Sequence, residues 1–316
     1  MKKILLSAAV LFICTAMYAQ EADIIIKNGK LMDGTGNQWQ YKDVAISKNK
    51  IVAIGQLKNW KATKIIDAKG LIVAPGFIDV HGHVEGGETK NPMAGNFIYD
   101  GVTTVITGNC GGSADNLNTY FNTIDSIGTS INIASLMGHN NIRKQVMGTA
   151  NRNATEEELV KMEFLAQKAM QDGAVGMSTG LIYIPGTYAP TEEVVRLAKV
   201  IAANGGVYSS HIRYEEDKVV DAVNEAIQIG RAANIPVEIS HFKVSGQNNW
   251  GRSKETLPLV ENARKEGIDV TIDQYPYTAS STNLGVMLPS DVLSDGQDSI
   301  MARLKNPAIR ERVKAH

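Results

Sequence analysis

From Pro75-Gly76 onward, short apolar runs return at a regular interval, and each closes on a polar residue. The runs are Phe77–Val80, Thr103–Thr107, Ile131–Met137, Ala174–Ser178, Gly206–Ser210, Val237–Ser240 and Val270–Asp273. Their closing residues, His81, Cys110, His139, Ser178, His211, His241 and Asp273, lie 29 to 39 residues apart. Continuous apolar runs of this kind suit strands buried on both faces. The stretches between them carry helix signals. Thr155 with Glu158 forms a capping box before a helix to Met170. Thr191 is positioned to cap a helix that Asn204-Gly205-Gly206 ends. Lys218–Ala233 places Val219, Val220, Val223, Ala226 and Ile227 on one face, and Pro258 falls in the first turn of a helix to Lys265. Repeated βα units imply a parallel sheet, open or closed. Polar residues from many strands gather at strand C-terminal ends, which favours a (β/α)8 barrel. Seven units are read, and residues 280–316 show helix-like pieces but no eighth strand.

The segment before Pro75 is different. Ala22–Lys27, Val44–Ser47, Ile51–Ile54 and Lys64–Asp67 read as short strands, with turn chemistry at Asn28-Gly29, Asp33-Gly34 and Asn49-Lys50. They predict a small β-sandwich domain. At the start, Lys2 and Lys3 precede the apolar run Ile4–Ile13, which is too short to span a bilayer. This predicts a secretory signal peptide cut after Ala19 and an exported protein, periplasmic or secreted. Ile13 stands where a lipoprotein anchor at Cys14 would need a small residue. The expected organisation is therefore 1–19 signal peptide, 20–75 β domain, 76–279 barrel and 280–316 a further segment. With 32 Lys+Arg against 33 Asp+Glu, no charge imbalance favours nucleic acid or an anionic membrane as partner.

Five of the six histidines, His81, His83, His139, His211 and His241, fall at or just past strand ends. In a barrel these ends form one mouth. His81-Gly82-His83 sets two imidazoles on one side of an extended segment. Cys110 would be left without a disulfide partner once Cys14 is removed with the signal peptide, so composition leaves it a buried hydrophobe, a reactive thiol or a metal ligand. Imidazoles and a thiolate together suit zinc. His139 is read chiefly as a hydrogen-bonding residue of the mouth, and Asp79 and Asp273 either as groups orienting ligands or as satisfied interior acids. Lys243 and Arg213 follow His241 and His211 by two residues and are placed to receive an anionic group. Gly108, Gly111 and Gly112 lack a helix-start fingerprint, so no phosphate loop is expected.

Ala74-Pro75-Gly76-Phe77-Ile78-Asp79-Val80-His81-Gly82-His83 resembles the opening strand of the amidohydrolase superfamily. Within it, Gly101–Gly111, Gly173–Gly186, Ser209–Arg213, Ile239–Lys243 and Asp273–Ala279 resemble the D-aminoacylase (N-acyl-D-amino-acid deacylase) family, in family order over residues 22–316. The resemblance implies a (β/α)8 barrel with a small β-sandwich. It implies zinc-dependent hydrolysis of the linear amide of a small-molecule N-acyl-D-amino acid, releasing the D-amino acid and a carboxylate. Cys110, His211 and His241 resemble a tight zinc site, and His81 and His83 a weaker second position. Lys243 and Tyr275 resemble residues that hold the substrate carboxylate, with Arg213 a further candidate. The fourth strand reads Gly176-Met177-Ser178-Thr179, without the lysine of cyclic-amide hydrolases. The family's catalytic aspartate is expected beyond residue 316, with residues 280–316 opening an insertion before the eighth strand, so a fragment of a longer reading frame is expected. The alternatives are a cyclic-amide hydrolase of the hydantoin or dihydroorotate type, and an inactive fragment. Oligomeric state is not legible.

Overall fold

The computed structural model describes residues 20–289 and 291–315. The expected signal peptide and His316 lie outside the described residues. The chain forms two compact units divided between Gly76 and Phe77.

The first unit is all-β among the described residues. Strands β1 (Glu21–Lys27), β2 (Lys30–Leu31), β3 (Gln40–Tyr41), β4 (Asp43–Ser47), β5 (Lys50–Gly55), β6 (Lys61–Asp67) and β7 (Ile72–Val73) make two sheets, ordered β5-β4-β1-β6 and β3-β2-β7. The tight β4–β5 hairpin turns through Lys48, whose φ is 55°. β1 pairs antiparallel with β4 but parallel with β6, so the sheet is not a simple run of hairpins. Ala22, Ile25, Ala45 and Leu57 form its small core, with Trp60 packed on it. The four expected strands form; β2, β3 and β7 are two residues each, too short to show alternation in sequence.

The second unit runs β8 (Phe77–Asp79), α1 (Gly95–Ile98), β9 (Val102–Thr107), α2 (Leu117–Ile127), β10 (Asn132–Ser135), β11 (Met137–Gly138), α3 (His139–Met147), α4 (Glu156–Gln171), β12 (Gly176–Gly180), α5 (Thr191–Ala203), β13 (Val207–His211), α6 (Val219–Ala233), β14 (Val237–Ile239), α7 (Ser253–Lys265) and β15 (Val270–Ile272), then α8 (Gln297–Lys305) and α9 (Pro307–Lys314). Every strand pair is parallel, and neighbours in space are neighbours in sequence: β8-β9-β10, then β11-β12-β13-β14-β15. This is the wall of a (β/α)8 barrel. The third expected strand is split at Leu136, one half pairing with β9 and the other with β12. Met137, Met177, Val237, Ile239 and Val270 from the strands meet Met162, Leu197, Val223, Ile227 and Val260 from the helices in one buried cluster. Each such side chain contributes about 1.5–3 kcal/mol relative to exposure.

Two helix expectations are corrected. Pro190, in extended conformation, is the N-cap of α5; Thr191 is its first residue, and its hydroxyl donates to Glu225 instead. α7 begins at Ser253, so Pro258 lies in its second turn, where the missing N–H removes an intrahelical bond. The Thr155–Glu158 capping box is present as read.

Candidate metal centre

The barrel's strand ends bring five of the predicted residues together. His81 and His83 follow β8, Cys110 lies in the turn after β9, His211 ends β13 and His241 follows β14. Ligand atoms of His81, His83 and Cys110 lie within 4.8 Å of one another, and so do those of Cys110, His211 and His241. Cys110 is common to both groups. Its Sγ lies 3.3 Å from His81 Nε2 and 3.8 Å from His241 Nε2, and His241 Nε2 is 2.8 Å from His211 Nδ1.

Acids behind the rings set their orientation. Asp273 accepts from His81 Nδ1 at 2.9 Å and from the backbone N–H of His241. Asp79 accepts the His81 backbone N–H at 3.1 Å. Glu215 lies 3.1 Å from His241 Nδ1. In His81 the carboxylate takes Nδ1 and leaves Nε2 facing the thiol, the arrangement that fixes a metal-ligating tautomer, whereas His241 Nδ1 lies 3.1 Å from both Glu215 and Lys243 Nζ.

Burial would push the Cys110 thiol up, but hydrogen bonds from His211, His241, His81 and His83 outweigh it and hold it down at about 2, which favours the thiolate form. Burial pulls His81 down, yet its bonds to Asp273 and Cys110 lift it to about 10. Burial keeps His211 below its ordinary value, and its Nε2 is buried without a hydrogen-bond partner. Glu215 is held down at about 2, because His241, His211 and Lys243 outweigh its desolvation. A thiolate crowded by imidazoles, with one orphaned ring nitrogen, fits a borderline-soft divalent cation.

The Cys110 turn is built for close approach. Cys110 itself has φ 53° and His241 φ 37°, left-handed conformations that strain a non-glycine residue by about 1–3 kcal/mol each. A Cβ on Gly180 would stand 2.1 Å from the Cys110 carbonyl oxygen, and one on Gly111 2.2 Å from Asn140 Oδ1. Only glycine fits at either position. A cleft of ≈ 430 Å³ opens over the turn, lined among others by His83, Cys110, Asn141, Tyr183 and Thr282.

The remaining predicted residues divide. Lys243 Nζ donates to Glu215 at 2.5 Å and lies 5.8 Å above the Tyr275 ring, which stacks on Tyr277. Arg213 is occupied elsewhere: its guanidinium holds Glu225 and the carbonyls of Thr187 and Ala189. His139, expected in the mouth, is fully buried at the start of α3, and its Nε2 bonds Glu193 of α5. Sequence reasoning missed Glu215, which sits in the charged run Tyr214-Glu215-Glu216-Asp217 that reads as a solvated loop. It also missed Asn140, whose side chain bonds Gly180 and Tyr183 in the loop whose Tyr183 ring packs on His211 at 4.8 Å.

A sequence model described as the amidohydrolase family matches residues 64–278. D-aminoacylase of Alcaligenes xylosoxydans xylosoxydans is 38% identical, covering 84% of this chain and 60% of that protein. A crystal structure of D-aminoacylase superposes with a TM-score of 0.78 at 37% identity, covering 82% of this chain and 59% of the other. N-acyl-D-glutamate deacylase from Bordetella bronchiseptica, complexed with zinc and a phosphonate inhibitor, gives the same TM-score of 0.78 at 37% identity, covering 82% and 59%. The chain therefore spans about 60% of the length of the curated D-aminoacylase it matches. A barrel of parallel strands, H-x-H after its first strand, a cysteine after its second and a family match over residues 64–278 make this chain a member of the amidohydrolase family.

Proposed function

We propose that the whole protein hydrolyses the linear amide of N-acyl-D-amino acids, releasing a D-amino acid and a carboxylate. Zinc is the proposed metal, held tightly by Cys110, His211 and His241 and more weakly in a second position by His81 and His83 with Cys110. The observation that carries the reading is the Cys110 sulfur shared by both donor groups, on a chain similar to D-aminoacylases. Bound there, the ion supplies Lewis acidity toward the amide carbonyl and toward water.

The chain's own residues do the rest. Asp273 holds the His81 imidazole in one tautomer, and Glu215 and Lys243 flank Nδ1 of His241. Lys243 presents its ammonium toward the substrate carboxylate, sharing it with Glu215, and the Tyr275 ring lies under that cation. Tyr183, hydrogen-bonded to Thr282, covers one edge of His211 and limits water there. The aspartate that moves the proton to the leaving nitrogen is expected beyond residue 316, and no described residue is assigned that step. Export follows from the reading of residues 1–19, and residues 20–75 are proposed to be part of the family's small β domain.

The test uses the whole natural protein loaded with zinc. Free amine release is measured from N-acetyl-D-methionine, N-acetyl-D-glutamate and their L-enantiomers, and ring opening of hydantoin by formation of N-carbamoylglycine. Hydrolysis of at least one D-substrate, with L-enantiomers at least a hundredfold slower, is expected. Preference for hydantoin, or equal rates on the two enantiomers, would overturn the reading.

A further inference from the structure

The Cys110 turn has a second lock, on the fourth barrel strand, two positions round from its own. Ser178 sits in the middle of β12, fully buried. Its hydroxyl donates to the carbonyl of Gly108 at 2.5 Å and accepts the backbone N–H of Gly111 at 2.9 Å. One oxygen thus closes the turn on both sides of Cys110. That turn has three residues at positive φ, Gly108 at 76°, Cys110 at 53° and Gly111 at 76°, so it persists only where its surroundings over-determine it. The other contacts hold its flanks. Glu85 takes the Gly108 N–H at 2.7 Å, Asn109 reaches back to the Val80 and Ile106 carbonyls, and Gly111 O accepts from Asn141 N at 3.3 Å. Among the described residues, no side chain but that of Ser178 bonds the backbone on both sides of the cysteine.

We infer that Ser178 is a positioning residue for the metal centre: its hydroxyl aims the Cys110 thiolate at the point where both histidine groups converge. This rests on the reading of Cys110 as a metal ligand. Loss of the hydroxyl leaves the Gly108 carbonyl and the Gly111 N–H unpaired in a dry site, where satisfying them requires the turn to move.

The test is Co²⁺ titration of the metal-free protein, read by the thiolate-to-cobalt charge-transfer band, with the alkylation rate of Cys110 by iodoacetamide as a metal-free readout. Ser178→Ala is expected to lower Co²⁺ affinity about 10- to 100-fold, the range for partners that orient a ligand, and to speed alkylation severalfold. Tyr208→Phe removes an equally buried hydroxyl, bonded to Thr179 and Ser210 and not to the turn. It is expected to leave both readouts within twofold. Ser178→Thr keeps the hydroxyl and is expected to bind Co²⁺ like the parent, which tests the idea even if the alanine variant fails to fold. Equal losses in Ser178→Ala and Tyr208→Phe, or a tenfold loss in a folded Ser178→Thr, would overturn the proposal. Absence of the thiolate band in the unaltered protein would overturn the metal reading itself, and the proposal with it.

Discussion

Glu193 is the residue whose removal should hurt this fold most for the least change in shape. Its carboxylate lies between α3 and α5, accepts from Arg143 Nη1 on one oxygen and meets His139 Nε2 at 2.9 Å on the other. Side-chain exposure is 0% for Arg143, 2% for Glu193 and 0% for His139, so water screens none of these contacts. Arg143 also donates to the Arg152 carbonyl at 2.6 Å, but its Nε is already unpartnered. Glu193→Gln keeps the volume and removes the charge, leaving a buried guanidinium opposed by a neutral amide. Breaking a buried pair from one side is worth about 3–5 kcal/mol. For a unit of this size that corresponds to about 2–4 °C per kcal/mol, hence a fall of about 6–20 °C in melting temperature. Circular dichroism at 222 nm is the right probe, because every described helix belongs to the second unit. The double variant Glu193→Gln/Arg143→Met removes both charges and should recover at least half the loss. The acid limb gives an independent check. Burial raises the Glu193 carboxyl, but His139 and Arg143 outweigh it and hold the group below its ordinary value. A depressed folded-state value means the stabilisation is complete above the unfolded value of about 4.3 and is lost as pH falls through the folded one. The gap between parent and Glu193→Gln should therefore be constant above about pH 5 and narrow in acid. A melting temperature within about 2 °C of the parent, or a double variant as poor as the sum of its parts, would refute the reasoning.

Three further outcomes follow from the site. Gly180→Ala places a Cβ 2.1 Å from the Cys110 carbonyl oxygen, backbone against backbone, so a loss of about 1–3 kcal/mol together with weakened metal binding is expected in paired melts and metal titrations. Zinc at a hundred times its dissociation constant should stabilise the folded protein by about 2.7 kcal/mol, with EDTA reversing the shift and Cys110→Ser abolishing it; a melting temperature indifferent to zinc would contradict the assigned ligands. Arg213→Lys keeps a cation but loses the fork that holds Glu225, Thr187 and Ala189, so thermal stability should fall while KM for an N-acyl amino acid moves far less than in Lys243→Ala.

What the sequence made legible was whatever repeats or has a local signature. Seven apolar runs at a near-constant interval lie at the seven strand positions found, and the Thr155–Glu158 box begins α4. Short strands without alternation, such as β2 and β7, left no pattern to read. Leu136, which splits the third strand between two pairings, looks like any core leucine. Partners distant in sequence were invisible for the same reason. Nothing near Arg213 in the sequence shows that Glu225 waits on the next helix, and nothing near His139 shows a glutamate 54 residues on. Lys243 and Glu215 were each legible as charges, but their pairing against the His241 ring depends on how β13 and β14 end side by side.

The thiolate and the bare fourth strand are two sides of one steric arrangement. Gly180, at the end of β12, lies so close to Cys110 that even a methyl group would overlap its carbonyl, and a Cβ on Gly138 would stand 2.5 Å from the Gly111 carbonyl oxygen. The turn after β9 thus fills the space above the third and fourth strands, where a long ligand from β12 would otherwise reach the centre. A shared ligand must then come from that turn itself, and cysteine is short enough to serve there with its backbone already at the mouth. Its thiolate adds a fixed negative charge among imidazoles that would otherwise repel a cation's approach when protonated. The same crowding explains Gly180 and the small Ser178 in β12: the strand supplies hydrogen bonds to the turn in place of a ligand to the metal. Strain at Cys110 and closure by Ser178 are parts of one device that brings a second-strand residue among the histidines of the centre.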